Sequence, residues 1–153
     1  IQGLKLALNH IGSTSGDLIP RYELFQIDLD TTDPDDFEVV QYAGSHDAAI
    51  LAVLNGLADV AGVSSVNWEA RIKDGTILAD DFRVIHSSEP IQGAPLVYSK
   101  NLSDEVRSTI KEAVLHAHEQ GEIGGYGGQM EMYVQVKDGD YDPIRKVSET
   151  FQK

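Results

Sequence analysis

The sequence predicts an α/β domain with a mostly parallel sheet flanked by helices. Three observations lead there. Short apolar runs alternate along the chain with stretches of helical periodicity, polar or glycine-bearing turns separate each run from the helix after it, and no repeat of solenoid length interrupts the alternation. Strands joined in this way through helices are expected to run parallel through right-handed crossovers.

Leu4-Lys5-Leu6-Ala7-Leu8 is alternating and mostly apolar, and the cluster Gly12-Ser13-Thr14-Ser15-Gly16 beyond it favours turns and helix caps. That reads as strand, polar loop and helix start. Pro20 falls in the first turns of a short helix, where proline is tolerated, and Tyr22, Leu24 and Phe25 supply apolar contacts. Residues 28 to 38 hold Asp28, Asp30, Asp33, Asp35, Asp36 and Glu38 around Pro34, which reads as a solvated connection of mutually repelling charges. Residues 37 to 43 form a second strand. Gly44-Ser45-His46-Asp47 then opens a helix with Ile50, Val53, Leu54 and Leu57 at helical spacing, stopped at Asn55-Gly56. Residues 59 to 63 read as a third strand, 67 to 73 as a short helix closed at Asp74-Gly75, and 82 to 85 as a fourth strand.

Pro90 and Pro95 bracket a change of direction, after which Leu96-Val97-Tyr98 reads as another strand. Ser103 is an expected N-cap, with Asp104 and Glu105 in the first turn and an apolar stripe of Val106, Ile110, Ala113, Val114 and Ala117. Five of the eight residues from 121 to 128 are glycine, which predicts a flexible connection, followed by a strand over 132 to 136 and a last short helix after Pro143. The compositional break near Gln92 divides the chain into an α/β lobe over 1–92 and a tail over 93–153.

At 153 residues and 41% hydrophobic composition the chain can bury its own core. Twelve basic against 25 acidic residues give a net charge of −13, which argues against nucleic acid or an anionic membrane surface as the main partner. No run approaches the ~20 consecutive apolar residues of a membrane-spanning helix. With no cysteine, disulfides and thiolate metal sites are excluded, and the redox compartment is left open.

Ser13, Thr14 and Ser15 stand where a predicted strand delivers the chain to a helix N-terminus. Such an end offers unpaired backbone N–H groups and about half a positive charge, and the hydroxyls add donors suited to a tetrahedral oxyanion. The same cluster also serves as a plain helix cap. Ser45-His46-Asp47 occupies the corresponding point of the next βα unit, so both helix starts are expected at the carboxyl edge of the sheet, facing one crevice. His46 can donate a hydrogen bond there, or stand as a structural residue beside the cap. Asp138, Asp140, Asp142 and Glu149 match carboxylate positions of a calcium loop, yet Pro143 replaces the glycine of its sharp turn. His116 and His118 do not share a helix face, residues 121 to 128 lack the strand-to-helix setting of a dinucleotide loop, and adjacency of Ser45, His46 and Asp47 does not make a triad.

Ser13-Thr14-Ser15-Gly16 with Leu18-Ile19-Pro20-Arg21-Tyr22, Gly44-Ser45-His46-Asp47-Ala48-Ala49 with Val53-Leu54-Asn55-Gly56, and Asp59-Val60-Ala61 resemble the phosphate/phosphite/phosphonate-binding family of ABC-transporter solute receptors. Pro90-Ile91 and Tyr141-Asp142-Pro143-Ile144-Arg145 are similar to that family too. The resemblance runs in order over nearly the whole chain. It implies a lobe of the periplasmic-binding-protein type II kind, one half of a two-lobed trap. It also implies that Ser13, Thr14, Ser15 and His46 bind the oxygens of a small phosphorus oxyanion: phosphonate, phosphite or phosphate. Where some members use acidic residues to hold a ligand amine, this chain reads Ser64-Ser65-Val66-Asn67, and Asn67 takes that position. Family members carry an amino-terminal lobe before the motif region, so the chain resembles the second lobe plus a carboxyl-terminal return, residues 93–153, that would complete the other lobe. It is either a fragment or a natural short form.

The resemblance further implies an importer's solute-binding component, docking through its full-length form on an ABC permease in the membrane. It implies a periplasmic or extracytoplasmic location, and a lipid anchor on the full-length form is compatible with it. No cofactor is implied and no enzymatic activity, because no metal set and no nucleophile with its base stand out. With no Lys or Arg within Ser13-Thr14-Ser15 or Ser45-His46-Asp47, discrimination between oxyanions can rest on which oxygens carry protons. A ligand-sensing domain of a signalling receptor with the same fold is the alternative. Apolar surface normally covered by the other lobe predicts self-association of this chain.

Overall fold

Alternation along the first strand organises the sheet. In β1 (Leu4–Leu8), Leu6 and Leu8 are buried on one face and Ala7 on the other, as a period of two requires. β1 pairs in parallel with β2 (Phe37–Tyr42) and with β3 (Val60–Ala61), giving the order β2-β1-β3. The computed structural model describes residues 3–125, 128–130 and 132–151.

A π-helical turn (Thr14–Leu18) runs directly into α1 (Ile19–Phe25), with Pro20 in the first turn where a missing N–H costs nothing. From α1, Leu24 packs against Leu6, Leu8 and Phe37, together with Leu29, Val40 and Val60. On the opposite face α2 (His46–Leu54) sets Ala49 and Ala52 against Ala7 and Ala58. Alanines on both sides of that contact let the helix backbone lie close to the sheet. The sheet is therefore covered on both faces, as parallel sheets are. α3 (Ser65–Lys73) follows β3 and ends at Asp74 and Gly75. The acidic stretch between α1 and β2 is a chain of turns closed by its own carboxylates: Asp30 accepts the Thr32 N–H and hydroxyl, Asp33 accepts the Asp35 N–H, and Asp36 accepts the Asp30 N–H.

The chain divides into two compact units, one running to Ile91 and rejoined from Pro143 onward, the other Gln92–Asp142. In the first, α5 (Asp142–Thr150) buries Val147, and the Arg21 guanidinium lies 4.4 Å from the centre of the Phe151 ring. In the second, α4 (Asp104–Leu115) starts at Ser103, whose Oγ accepts the Val106 N–H, and an antiparallel pair joins β4 (Ile123–Gly125) to β5 (Gly128–Met130).

Several expectations are corrected. Residues 82 to 85 form no strand: Val84 and Ile85 are 67% and 58% exposed, and among the described residues no strand pairs with them to take their backbone groups. Leu96, Val97 and Tyr98 are likewise exposed and non-strand for the same reason. The glycine-rich stretch from 121 to 128, expected as a connection, carries β4 and the start of β5, with residues 126 and 127 outside the described residues. Residues 132 to 136, expected as a strand, are irregular; the pairing that exists lies earlier, where glycines allow close backbone approach.

Candidate functional site

Because β1, β2 and β3 are parallel, their carboxyl ends share one edge, and three helix starts follow from it: the π-turn at Thr14, α2 at His46 and α3 at Ser65. Backbone hydrogen bonds tie the three junctions together. Asn9 donates its N–H to the Gly16 carbonyl (2.8 Å) and accepts the Gly44 N–H (2.7 Å), while Gly62 donates to Ala7 (3.0 Å). Gly44 has a φ of +90°, the left-handed region in which a side chain would be strained, and it turns the chain from β2 into α2.

Ser13 is the N-cap of the π-turn. Its Oγ accepts from the Gly16 N–H and from Asn9 Nδ2, each at 3.3 Å, and the side chain is buried. Thr14 and Ser15 are half-buried in the first turn, and their backbone N–H groups have no partner among the described residues, as expected of a helix start. Ser15 Oγ lies 3.4 Å from His46 Nε2, so the two sequence motifs meet. Ser45 caps α2 by accepting the Ala48 N–H (3.0 Å), leaving the His46 and Asp47 N–H groups at the open end. His46 itself is buried, and its Nδ1 accepts the Ser64 N–H at 3.1 Å. That contact brings the start of α3 to the imidazole. Burial holds the His46 pKa below its ordinary 6.5; the Asp47 carboxylate pulls it up and His10 pushes it down.

Asn67 sits in the first turn of α3, half-buried, with a buried Oδ1 that has no hydrogen-bond partner. No hydrogen bond joins it to Ser13, Thr14, Ser15 or His46 among the described residues; those four are linked by the π-turn and by the Ser15–His46 contact.

Two supports were not foreseen. Asp17, 1% exposed, accepts the Gly12 N–H (2.7 Å) and the Tyr42 hydroxyl (3.0 Å), with Arg21 at 3.8 Å. It pins the loop before the π-turn to β2 and α1. Burial, then the bond to Asp17, pushes the Tyr42 phenol up. Asn9 forms the hub under Ser13, and its Oδ1 is buried without a partner. Only one signal was available in sequence, a polar residue directly after an apolar strand. Gly16 completes the arrangement: a Cβ there would overlap that of Asn9 and come within 2.8 Å of His46 Cε1. His46 can stand beside Ser15 because residue 16 has no side chain.

The assembled edge offers neutral donors, namely N–H groups at two helix starts, hydroxyls and one imidazole, which suits a compact anion. The sequence profile of a family described as "ABC transporter, phosphonate, periplasmic substrate-binding protein" matches residues 1–141. A curated relative from Escherichia coli (strain K12), the "Phosphonates-binding periplasmic protein", is 34% identical over 98 residues, 64% of this chain and 28% of that protein. The match thus spans little more than a quarter of the relative's length. With the profile covering nearly the whole chain, this protein belongs to the family of periplasmic phosphonate substrate-binding proteins of ABC transporters.

Proposed function

We propose that the chain is the oxyanion-holding part of an importer's solute receptor, and that it binds a small phosphorus oxyanion, whether phosphonate, phosphite or phosphate, without transforming it. The observation that carries this reading is the meeting of Ser15 with His46 at the start of α2, beside the open N–H groups of Thr14 and Ser15. Thr14, Ser15 and His46 donate to phosphoryl oxygens. Ser13 shapes the turn through its Oγ and keeps one hydroxyl proton to give. Asn67 acts from α3 on the ligand's remaining substituent. On this reading residues 1–92 form the oxyanion-binding lobe and the tail after them completes a second lobe in the full-length receptor, which docks on a membrane permease outside the cytoplasm. No described helix is long and apolar enough to cross a membrane.

Calorimetric titration with phosphate, phosphite, methylphosphonate and an aminophosphonate tests the proposal. At least one should bind, and Thr14→Ala should weaken it by about 1.5 to 3 kcal/mol, the value of a hydrogen bond to a charged group. Full affinity in a folded Thr14→Ala variant, or no binding of any of the four, would count against it.

A further inference from the structure

His46 has two ring nitrogens with different partners, and one of those partners allows no choice. The Ser64 main-chain N–H can only donate, and it points at Nδ1 over 3.1 Å. Nδ1 must therefore present its lone pair. In the neutral ring the proton then sits on Nε2, the atom facing Ser15 Oγ. Double protonation would set two N–H donors against each other and charge a buried ring.

The groups around the ring agree. Ser15 comes from the π-turn, Ser64 from the start of α3, His10 from the loop after β1, and Asp47 from α2 itself. Among the described residues Asp47 is the charge that favours imidazolium, and its carboxylate also faces Arg71 at 3.6 Å. The Ser15 contact, at 3.4 Å, is long enough for Nε2–H to be redirected to a better acceptor.

We propose that the Ser64 N–H is a positioning group that fixes His46 as the neutral Nε2–H tautomer, so that the site admits an oxyanion by an unprotonated oxygen and takes up no proton at His46. The inference rests on the reading of His46 as an oxyanion donor. It makes the Ser64 main chain, which itself touches no ligand atom, a determinant of specificity: the oxygen opposite Nε2 must accept, and an unprotonated oxygen, the stronger acceptor, is favoured there over a P–OH oxygen. Any shift of α3 that withdraws the Ser64 N–H would free the ring and scramble the donor.

The backbone offers a test. Ser64 has φ −74° and ψ 133°, which proline adopts, and its side chain makes no capping bond. Ser64→Pro removes the N–H and sets its ring Cδ where that hydrogen stood, so the imidazole must also yield to it, whereas Ser64→Ala removes only the hydroxyl and keeps the N–H. Long-range proton–nitrogen correlation of the His46 ring should show Nδ1 unprotonated and Nε2 protonated at neutral pH in the native chain and in Ser64→Ala, unchanged on adding methylphosphonate. In Ser64→Pro both tautomers should appear and the ring should titrate at higher pH. With the two equally populated, only half the molecules are competent and affinity falls about twofold. A native ring protonated on Nδ1, or a Ser64→Pro ring with unchanged tautomer and titration, would overturn the proposal. If Ser64→Pro does not fold, the native spectrum decides alone. A locked Nε2–H ring with no methylphosphonate binding would refute the oxyanion reading and leave the tautomer lock standing. Binding to a doubly protonated ring would do the reverse.

Discussion

One histidine is held by three loops, and its surroundings make its protonation a property of the fold. Burial is the main cause that lowers the His46 pKa from 6.5, outweighing Asp47. Between the folded value and 6.5 the unfolded chain binds more protons than the native one, so this residue's contribution to stability is lost as pH falls below about 6.5 and levels off beneath the folded pKa. Denaturant midpoints from about pH 8 to about pH 5 should accordingly fall more steeply for the native chain than for His46→Asn; parallel profiles would contradict the assignment. His116 has the opposite sign, because its bond to Glu119 raises its pKa, but it is common to both proteins and cancels. At this scale the sequence shows the donors and hides their supports. Hydroxyls before a helix are visible as a local pattern. Asp17 draws its partners from Gly12, Arg21 and Tyr42, the last 25 residues away, and no local pattern encodes that convergence.

Elements that make their own signal were legible, and those that depend on a partner were not. β1 shows alternation and α2 shows a cap, a helical repeat and a glycine stop, so both were readable from residue types at fixed spacing. Residues 82 to 85 have strand-like composition, yet a strand exists only through the ladder beside it, and none is formed there among the described residues. α4 is the instructive intermediate case. Ser103, Asp104 and Glu105 start it as expected, and Asp104 pairs with Arg107, but it has no buried residue and Val106 is 43% exposed. A helix held by its cap and local pairs, without a packed face, opens at low free energy. Hydrogen exchange should therefore find α4 amides at least about tenfold less protected than those of α2, which buries Ala49, Ile50 and Ala52. Equal protection in the two helices would mean that α4 is covered in solution.

For the whole molecule, a net charge of −13 and an anion site are compatible because they act over different distances. Five of the 25 acidic residues lie in the turns between α1 and β2, four of them exposed, and exposed charges are screened over about 8 Å at physiological salt. Helix-start N–H groups and hydroxyls act at hydrogen-bond range, and the parallel order β2-β1-β3 gathers three such starts on one edge. Amide shift mapping tests directly whether the first two of these starts hold the anion. On titration with methylphosphonate, the largest saturable shifts should fall on the N–H groups of Thr14, Ser15, His46 and Asp47. Shifts confined to residues away from these two helix starts, or none at saturating ligand, would contradict it.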